Sequence, residues 1–383
     1  LDKNIFKLWN REMLSIDIGN HSIKILIGEY EKSTVILKKA IKVATPKDAY
    51  LNGEILDILS LKEAIHAALH SNKIKASKTF CSIESSAIIT REINIPSVKP
   101  EQMKKILEFE IQQYFPIEID EYIIQYKQLE NFFEGDVKKT RVLVTALPKK
   151  IAEDYLQLLE AVGLKPMVLD VHSNAVDKLF NAEMVINKEE GLKDKTIAVI
   201  DLGHRQINVT LIEKGVYKFN RLLNMGGWDI DINLYNFLGV PLGDAESKKA
   251  EIRDINEGIH NFAAATSGDI LEDTERLVLD NETRQISDNS RFINIVKRSI
   301  DNWIEEIEKV FKYYTTRSTG NTIDAIYIYG GSGKLGELSL YMEDAFNIPT
   351  KKIQEISIVN LDESIEKINM ASYINNIGIL IRR

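Results

Sequence analysis

Asp17 and Asp201 each close an apolar, β-branched run and stand two residues before a glycine, Gly19 or Gly203. A single Asp-x-Gly is weak evidence, because many β-turns carry these residues for local reasons. Here the flanking segments, 13–28 and 196–212, share one plan: apolar run, Asp-x-Gly, short polar turn, second apolar run with partial alternation. That pattern predicts a β-hairpin with an acid near its tip in each segment. Asp17 matches Asp201, Gly19 matches Gly203 and Ile23 matches Ile207, about half a chain apart. Two copies at matched positions predict two related domains, each opening with this hairpin. A glycine at such a tip lets backbone N–H groups approach phosphate oxygens. The acid beside it would be repelled by phosphate directly, so its expected task is to hold water on a Mg²⁺ ion bridging the phosphates.

A third element is a buried-type strand over 324–329 running into Gly330, Gly331, Ser332 and Gly333. A Walker A loop would need glycine five residues before the Gly333-Lys334 pair and Ser or Thr after it, and Ile328 and Leu335 stand there instead. No G-x-G-x-x-G fingerprint occurs. The glycine cluster still permits a flat ring or a phosphate to pack against backbone.

These candidates must be positioned by a chain of 383 residues, long enough for two or three folding units. With 44% hydrophobic and 28% charged residues the composition is that of a folded globular protein. A net charge of -8 has the wrong sign for gripping nucleic acid through its phosphates, so no nucleic-acid partner is expected. The single cysteine, Cys81, excludes an intrachain disulfide, and six histidines with one cysteine give no Cys/His zinc cage. No apolar run of about 18 residues is present and residues 1–13 lack a secretory core, so a cytoplasmic protein is expected. Ile5, Phe6, Leu8 and Trp9 suit either a short docking helix or an extension packed on its own domain.

Between the hairpins, the spacing of Met103, Ile106, Leu107, Ile111 and Tyr114 predicts a helix ended by Phe115-Pro116, followed by a strand over 122–129 and a polar turn over 131–139. Residues 151–162 read as an amphipathic helix with Gly163 at its C-cap. The stripe Ile293, Val296, Ile300, Trp303, Ile304, Ile307, Val310, Phe311 and Tyr314 predicts a long helix over 292–314. Glu63, His66 and His70 share a helical face with no third strong ligand in sequence, and Lys38, Lys39 and Lys42 read as a solvated run.

Taken together, these residues resemble the actin, Hsp70 and sugar-kinase superfamily, whose ATP lies between two related lobes. Residues 17–24 resemble its first phosphate hairpin, 201–208 its second and 329–333 its adenosine loop, while 245–249 resemble the Ala-Glu-x-x-Lys helix start used near the ribose. Within it, the stretches 86–96, 106–122, 142–148 and 158–166 resemble the PilM family of type IV pilus assembly proteins, itself similar to FtsA. The resemblance implies a duplicated α/β actin-like ATPase fold with an inserted subdomain in the first lobe. Its parts would be 1–82 with 167–190 (first lobe core), 83–166 (insertion), 191–244 with 299–383 (second lobe core) and 245–298 (second insertion). It implies a nucleotide site of Asp17, Gly19, Asn20, His21, Ser22 and Lys24 on one side. On the other are Asp201, Gly203, His204, Arg205, Gln206, Asn208, Gly226 and Gly227, with Glu246, Lys249, Gly330, Gly331, Ser332 and Gly333 around the nucleoside.

In mechanism, the resemblance implies ATP with Mg²⁺ held through water by Asp17 and Asp201, and Lys24 neutralising phosphate charge. Actin-like ATPases place a Gln or carboxylate near the hinge to orient the attacking water. His172 stands where PilM relatives commonly have Glu, with Asp170 two residues earlier, so these two are the candidate catalytic residues and at most weak hydrolysis is expected. The implied partner is the cytoplasmic N-terminal peptide of a PilN-like membrane protein, gripped between the first lobe and its insertion at the inner face of the membrane. Contacts with a pilus ATPase and self-association are further implied partners. An FtsA-like division protein and a small-molecule kinase on the same fold are the alternative readings.

Overall fold

The computed structural model of the chain describes residues 12–115, 117–180, 184–189, 191–256, 273–317, 320–363, 365 and 368–381. The Ile- and Leu-rich runs around Asp17 form a hairpin of β1 (Met13–Ile18) and β2 (Ser22–Glu31), extended by β3 (Thr34–Ala44). A short pair, β4 (Tyr50–Leu51) and β5 (Glu54–Ile55), leads to helix α1 (Ile58–Ser71). The Asp57 carboxylate caps α1 by accepting from the Leu59 and Ser60 amides at 3.0 and 3.1 Å. Strand β6 (Lys78–Ile83) then pairs parallel with β1.

An inserted unit follows, of β7 (Ile89–Pro96), α2 (Pro100–Tyr114), β8 (Tyr122–Glu134) and β9 (Val137–Pro148). Its antiparallel sheet, in the order β7-β9-β8, buries Ile93, Ile95, Val142 and Val144 under Met103, Leu107 and Ile111 of α2, a small core of its own. The chain returns through α3 (Lys149–Ala161) to β10 (Lys165–Val171), parallel to β6, and enters α4 (His172–Leu179). Gly163, in the left-handed conformation with φ of 85°, ends α3 as its spacing predicted.

The second lobe repeats the plan with β11 (Thr196–Leu202), β12 (Ile207–Glu213) and β13 (Val216–Leu223), then α5 (Gly227–Leu238), α6 (Leu242–Ala250) and the long α7 (Asp273–Thr316). It closes with β14 (Ala325–Tyr329), α8 (Leu338–Phe346) and β15 (Thr350–Lys352). In both lobes the sheet order is third, second, first, fourth, fifth: β3-β2-β1-β6-β10 and β13-β12-β11-β14-β15. The duplication suggested by two hairpins is therefore a duplication of whole sheets.

The stripe predicted over 292–314 is buried in the second lobe, with Trp303 only 2% exposed, and its helix begins 19 residues earlier than the spacing alone required, at Asp273. The segment with Ile5, Phe6, Leu8 and Trp9, and the stretch 257–272, lie outside the described residues. The chain's end departs from the expected partition. β16 (Val359–Leu361) pairs with β3, and α9 (Ile374–Leu380) packs on α4, β1, β2 and β6 of the first lobe. The physical reason is burial: every residue of α9 is buried, and Ile374, Ile377 and Leu380 enter a core shared with Leu26 of β2 and Val199 of β11.

That crossing is close because Gly378 faces the α4 backbone. A Cβ there would lie 2.2 Å from the Ala175 carbonyl oxygen. Gly378→Val is expected to lower stability by about 2 kcal/mol or more, as overpacking of a rigid contact does, read as a lower urea midpoint with unchanged slope.

Candidate functional site

The hairpin tips are closed in the same way. Gly19 donates its N–H to the Ser22 carbonyl at 3.1 Å, and Gly203 donates to the Gln206 carbonyl at 3.1 Å. Register places Lys24 opposite Asp17 and Asn208 opposite Asp201. Both tips border one cavity between the lobes, which Glu246 and Lys249 of α6 and Gly331 and Ser332 after β14 also line.

The floor of the cavity is a chain of polar groups. Asp17, 2% exposed, accepts from Lys24 at 3.2 Å, from the Ser82 hydroxyl at 3.1 Å and from His172 Nε2 at 2.9 Å. Asn375 of α9 donates from its amide nitrogen to His172 Nδ1 at 3.2 Å and to Asp201 at 3.1 Å, while its oxygen accepts from the Tyr329 hydroxyl at 2.9 Å. An unbroken path thus runs from Asp17 of the first lobe to Asp201 of the second.

Burial alone would raise the Asp17 carboxyl, but the charges of Lys24 and His172 beside it hold it far below the usual carboxylate range. Lys24 is raised in turn: burial opposes its charge, and Asp17 and Asp201 outweigh burial. Burial dominates at Asp201, whose carboxyl is raised although Lys24 and His172 oppose it. His172 is raised because Asp17, Glu84 and Asp201 together overcome its burial. The direction of the bond between Asn375 and His172 Nδ1 follows the ring's protonation: a neutral ring accepts from the amide nitrogen, and a charged ring donates to the amide oxygen.

At the cavity mouth, His21 Nε2 lies 2.5 Å from Glu246 Oε2, and the rings of His21 and His204 stand 5.1 Å apart, so the first hairpin touches both parts of the second lobe. His204 is pushed down to about 3 by burial and by neighbouring His21, Lys249 and Arg205, and is neutral at physiological pH. Arg205 stacks on the Trp228 ring at 4.1 Å. Lys249 is anchored by Asp231 at 2.5 Å and donates to the Gly227 carbonyl at 3.2 Å.

Among the expected residues, Asn20, His21, Ser22 and Lys24 border the cavity with Asp17 and Gly19. Facing them, His204, Arg205, Gln206 and Asn208 do so with Asp201 and Gly203. Gly226 and Gly227 instead brace the second tip from behind, the Gly227 amide donating to the Gly203 carbonyl at 3.0 Å. Gly330, with φ of 94°, and Gly333 pack against the end of β11; a Cβ on Gly330 would meet Asp201 Oδ1 at 2.2 Å. Asp170 is not at the cavity. It holds Lys178 at 2.5 Å and Asn174 at 2.9 Å, within α4 and its entry, so it is a structural acid.

Sequence reasoning missed Glu84, Asn375 and Lys334, for which only tertiary placement gives a signal, and it read Lys42 as solvated, which it is, without placing it at the cavity. Lys38 pairs with Glu29 and Glu12, and Lys39 donates to the Asn72 carbonyl, but Lys42 lies opposite Lys24 in register and lines the cavity. Strand register was the available clue. His66 and His70 stack at 6.2 Å on α1, and no metal-holding group of three ligands occurs among the described residues.

Two lobes of one topology, with matched hairpins facing each other across a cleft, define an actin-like ATPase fold. Among solved structures, the PilM-PilN type IV pilus biogenesis complex matches with a TM-score of 0.75 at 18% identity, over 96% of this chain and 97% of that one. The ethanolamine utilization protein EutJ from Carboxydothermus hydrogenoformans matches with a TM-score of 0.54 at 12% identity, over 96% of this chain and 89% of that one. No curated protein sequence matches. The profile of the family described as type IV pilus assembly protein PilM matches residues 15–259, and the chain belongs to that family.

The depressed Asp17 carboxyl contributes stability that is present above the unfolded carboxylate range and is lost as pH falls toward its folded value. Asp17→Ala should therefore cost about 3 kcal/mol at pH 7, because Lys24 and His172 are left buried without it. Urea denaturation at stepwise lower pH should show the gap to wild type narrowing below about pH 4.

Proposed function

We propose that this actin-like protein of type IV pilus assembly binds ATP in the cleft and holds the cytoplasmic N-terminal peptide of a PilN-like membrane protein. The observation that carries the nucleotide reading is the pair of identically closed hairpins facing one another across the cavity. The residues present fit such a ligand. The amides of Asn20, His21, His204 and Arg205 donate to no backbone carbonyl among the described residues, and a Cβ on Gly331 would meet nothing within 4 Å, leaving an open edge for a flat ring. Asp17 and Asp201 would hold Mg²⁺ through water, and the ion would supply charge neutralisation between the phosphates.

For the peptide, the suitable place is the groove between the first lobe and the insertion. β8 and β10 are edge strands of their two sheets, and they carry the exposed apolar side chains Ile123 and Tyr126 on β8 and Met167 on β10. The insertion is braced by Lys127, which binds Asp177 and Asn174 of α4, and by Glu130, 3.6 Å from Lys218 of the second lobe. Among the described residues no helix is long and apolar enough to cross a membrane. The membrane partner would therefore hold the protein at the cytoplasmic face.

A physical route links the two sites. Gln206 of the second hairpin donates to Asn52 at 2.6 Å, and the same Asn52 oxygen accepts from the Ser86 amide at 2.9 Å. Ser86 lies in the segment joining β6 to β7, at the root of the insertion. A nucleotide that moves the second tip would thus bias the insertion, provided it binds the two arrangements unequally.

In calorimetric titration, Asp201→Ala is expected to weaken Mg·ATP binding at least about 10-fold, a loss of about 1.4 kcal/mol; unchanged affinity would overturn this account of the site. Titrated with the partner's N-terminal peptide, the ATP-loaded protein should differ in affinity from the apo protein. Asn52→Ala should shrink that difference while leaving peptide binding to the apo form intact, and equal affinities in both nucleotide states would sink the coupling.

A further inference from the structure

Residue 172 does not have the freedom a water-positioning group needs. Both ring nitrogens of His172 are committed, Nε2 to Asp17 and Nδ1 to Asn375. Asp17 already accepts from Lys24, Ser82 and His172, and Asp201 accepts from Asn375. Another carboxylate faces the same cavity. Ser82, at the end of β6, bonds Asp17, and period-two alternation carries Glu84, one residue past the strand, to the same side. Glu84 reaches across the cleft to accept from the Asn208 amide on the second hairpin. Asn208 and the Ser85 amide occupy two of the roughly four acceptor positions of a carboxylate and leave the others open.

We propose that Glu84 is the general base of a slow ATP hydrolase activity in this protein, taking the proton of the water that attacks the terminal phosphate. This rests on the nucleotide reading above. In the step, the water oxygen forms a bond to the γ-phosphorus as the bond from that phosphorus to the β,γ-bridging oxygen breaks. The electron pair leaves with ADP, one water proton passes to a Glu84 oxygen, and inorganic phosphate is released. Asn208 fixes the carboxylate that receives the proton, while His172 positions Asp17 and touches no reacting atom.

The acidity of the group suits the task. Burial pushes the Glu84 carboxyl up to about 7, a nearby Asp201 adds to the rise, and His172 and the Asn208 hydrogen bond oppose it. Tyr50, Tyr217 and Tyr329 are the other titratable groups facing it, and all three hydroxyls are raised well above their ordinary value and stay neutral. A base poised near the working pH combines the correct protonation state with useful basicity.

The test pairs calorimetry of Mg·ATP binding with phosphate release under single-turnover conditions. Glu84→Gln, which keeps the acceptor for Asn208, should bind ATP within about threefold of wild type and hydrolyse it about 100-fold more slowly. Wild-type hydrolysis should rise with pH through the neutral range, and that limb should be absent in Glu84→Gln. His172→Gln should retain the pH limb even where its rate falls. Wild-type protein with ATP bound but no phosphate release above buffer would overturn the proposal, as would Glu84→Gln hydrolysing at the wild-type rate. Absence of ATP binding to the wild type would overturn the nucleotide reading itself and this inference with it. A Glu84→Asp variant, with the same charge on a shorter arm, controls for folding: partial recovery of rate over Glu84→Gln supports a base, and no recovery despite native stability and ATP affinity argues against it.

Discussion

Two buried carboxylates pointing into one cleft would repel each other and pay heavily for lost hydration if nothing stood between them. The structure resolves this with the path from Asp17 through His172 and Asn375 to Asp201, with Lys24 as the compensating charge. The elements that supply this path are not neighbours in the chain. Lys24 comes from β2, His172 from the first turn of α4, and Asn375 from a helix near the C-terminus. The fold must therefore hold α4 and α9 at the floor of the cleft, and the close crossing at Gly378 is one consequence.

The return of the chain's end to the first lobe follows from the same constraint. β16 adds to the edge of β3 and α9 lies beneath both sheets, in a core containing residues of β2, β11, β14 and α4. Lobes packed on a shared core are restrained from moving independently, and the hairpin tips and the cleft mouth lie outside that core. There the links are lighter: a His21–Glu246 contact on the surface, two imidazole rings, and the amide bridge from Gln206 to Asn52. Contacts that are partly solvated and few in number can be exchanged for ligand contacts at small cost.

The position of the insertion gives this arrangement its functional sense. Its own three strands and helix form a separate small core, so it can act as a unit, and it is joined to the rest through the segment after Glu84 and through β9. The second hairpin reaches the root of that segment directly, where Asn208 donates to Glu84, and indirectly, where Gln206 donates to Asn52, whose oxygen also accepts from the Ser86 amide. A nucleotide site and a peptide groove on the same molecule would thus be separated by only a few hydrogen bonds.

Much of this could be read from residue order. The apolar runs around Asp17 and Asp201, the glycines after them and the stripe from Ile293 to Tyr314 determined the two hairpins, the duplication and the long helix, because each is a local pattern with its own period or turn chemistry. The quoted stretches after Ser86 also carried the likeness to the PilM family, which the profile over residues 15–259 matches. Roles were less accessible. Asp170 and His172 sit two residues apart, yet one faces α4 and the other the cleft, and of three neighbouring lysines only Lys42 lines the cavity, through its register with Lys24. Glu84 and Asn375 have no motif at all. Their placement depends on which strand ends beside β1 and which helix closes the core, contacts between residues 65 to 203 positions apart that only the packed tertiary structure decides.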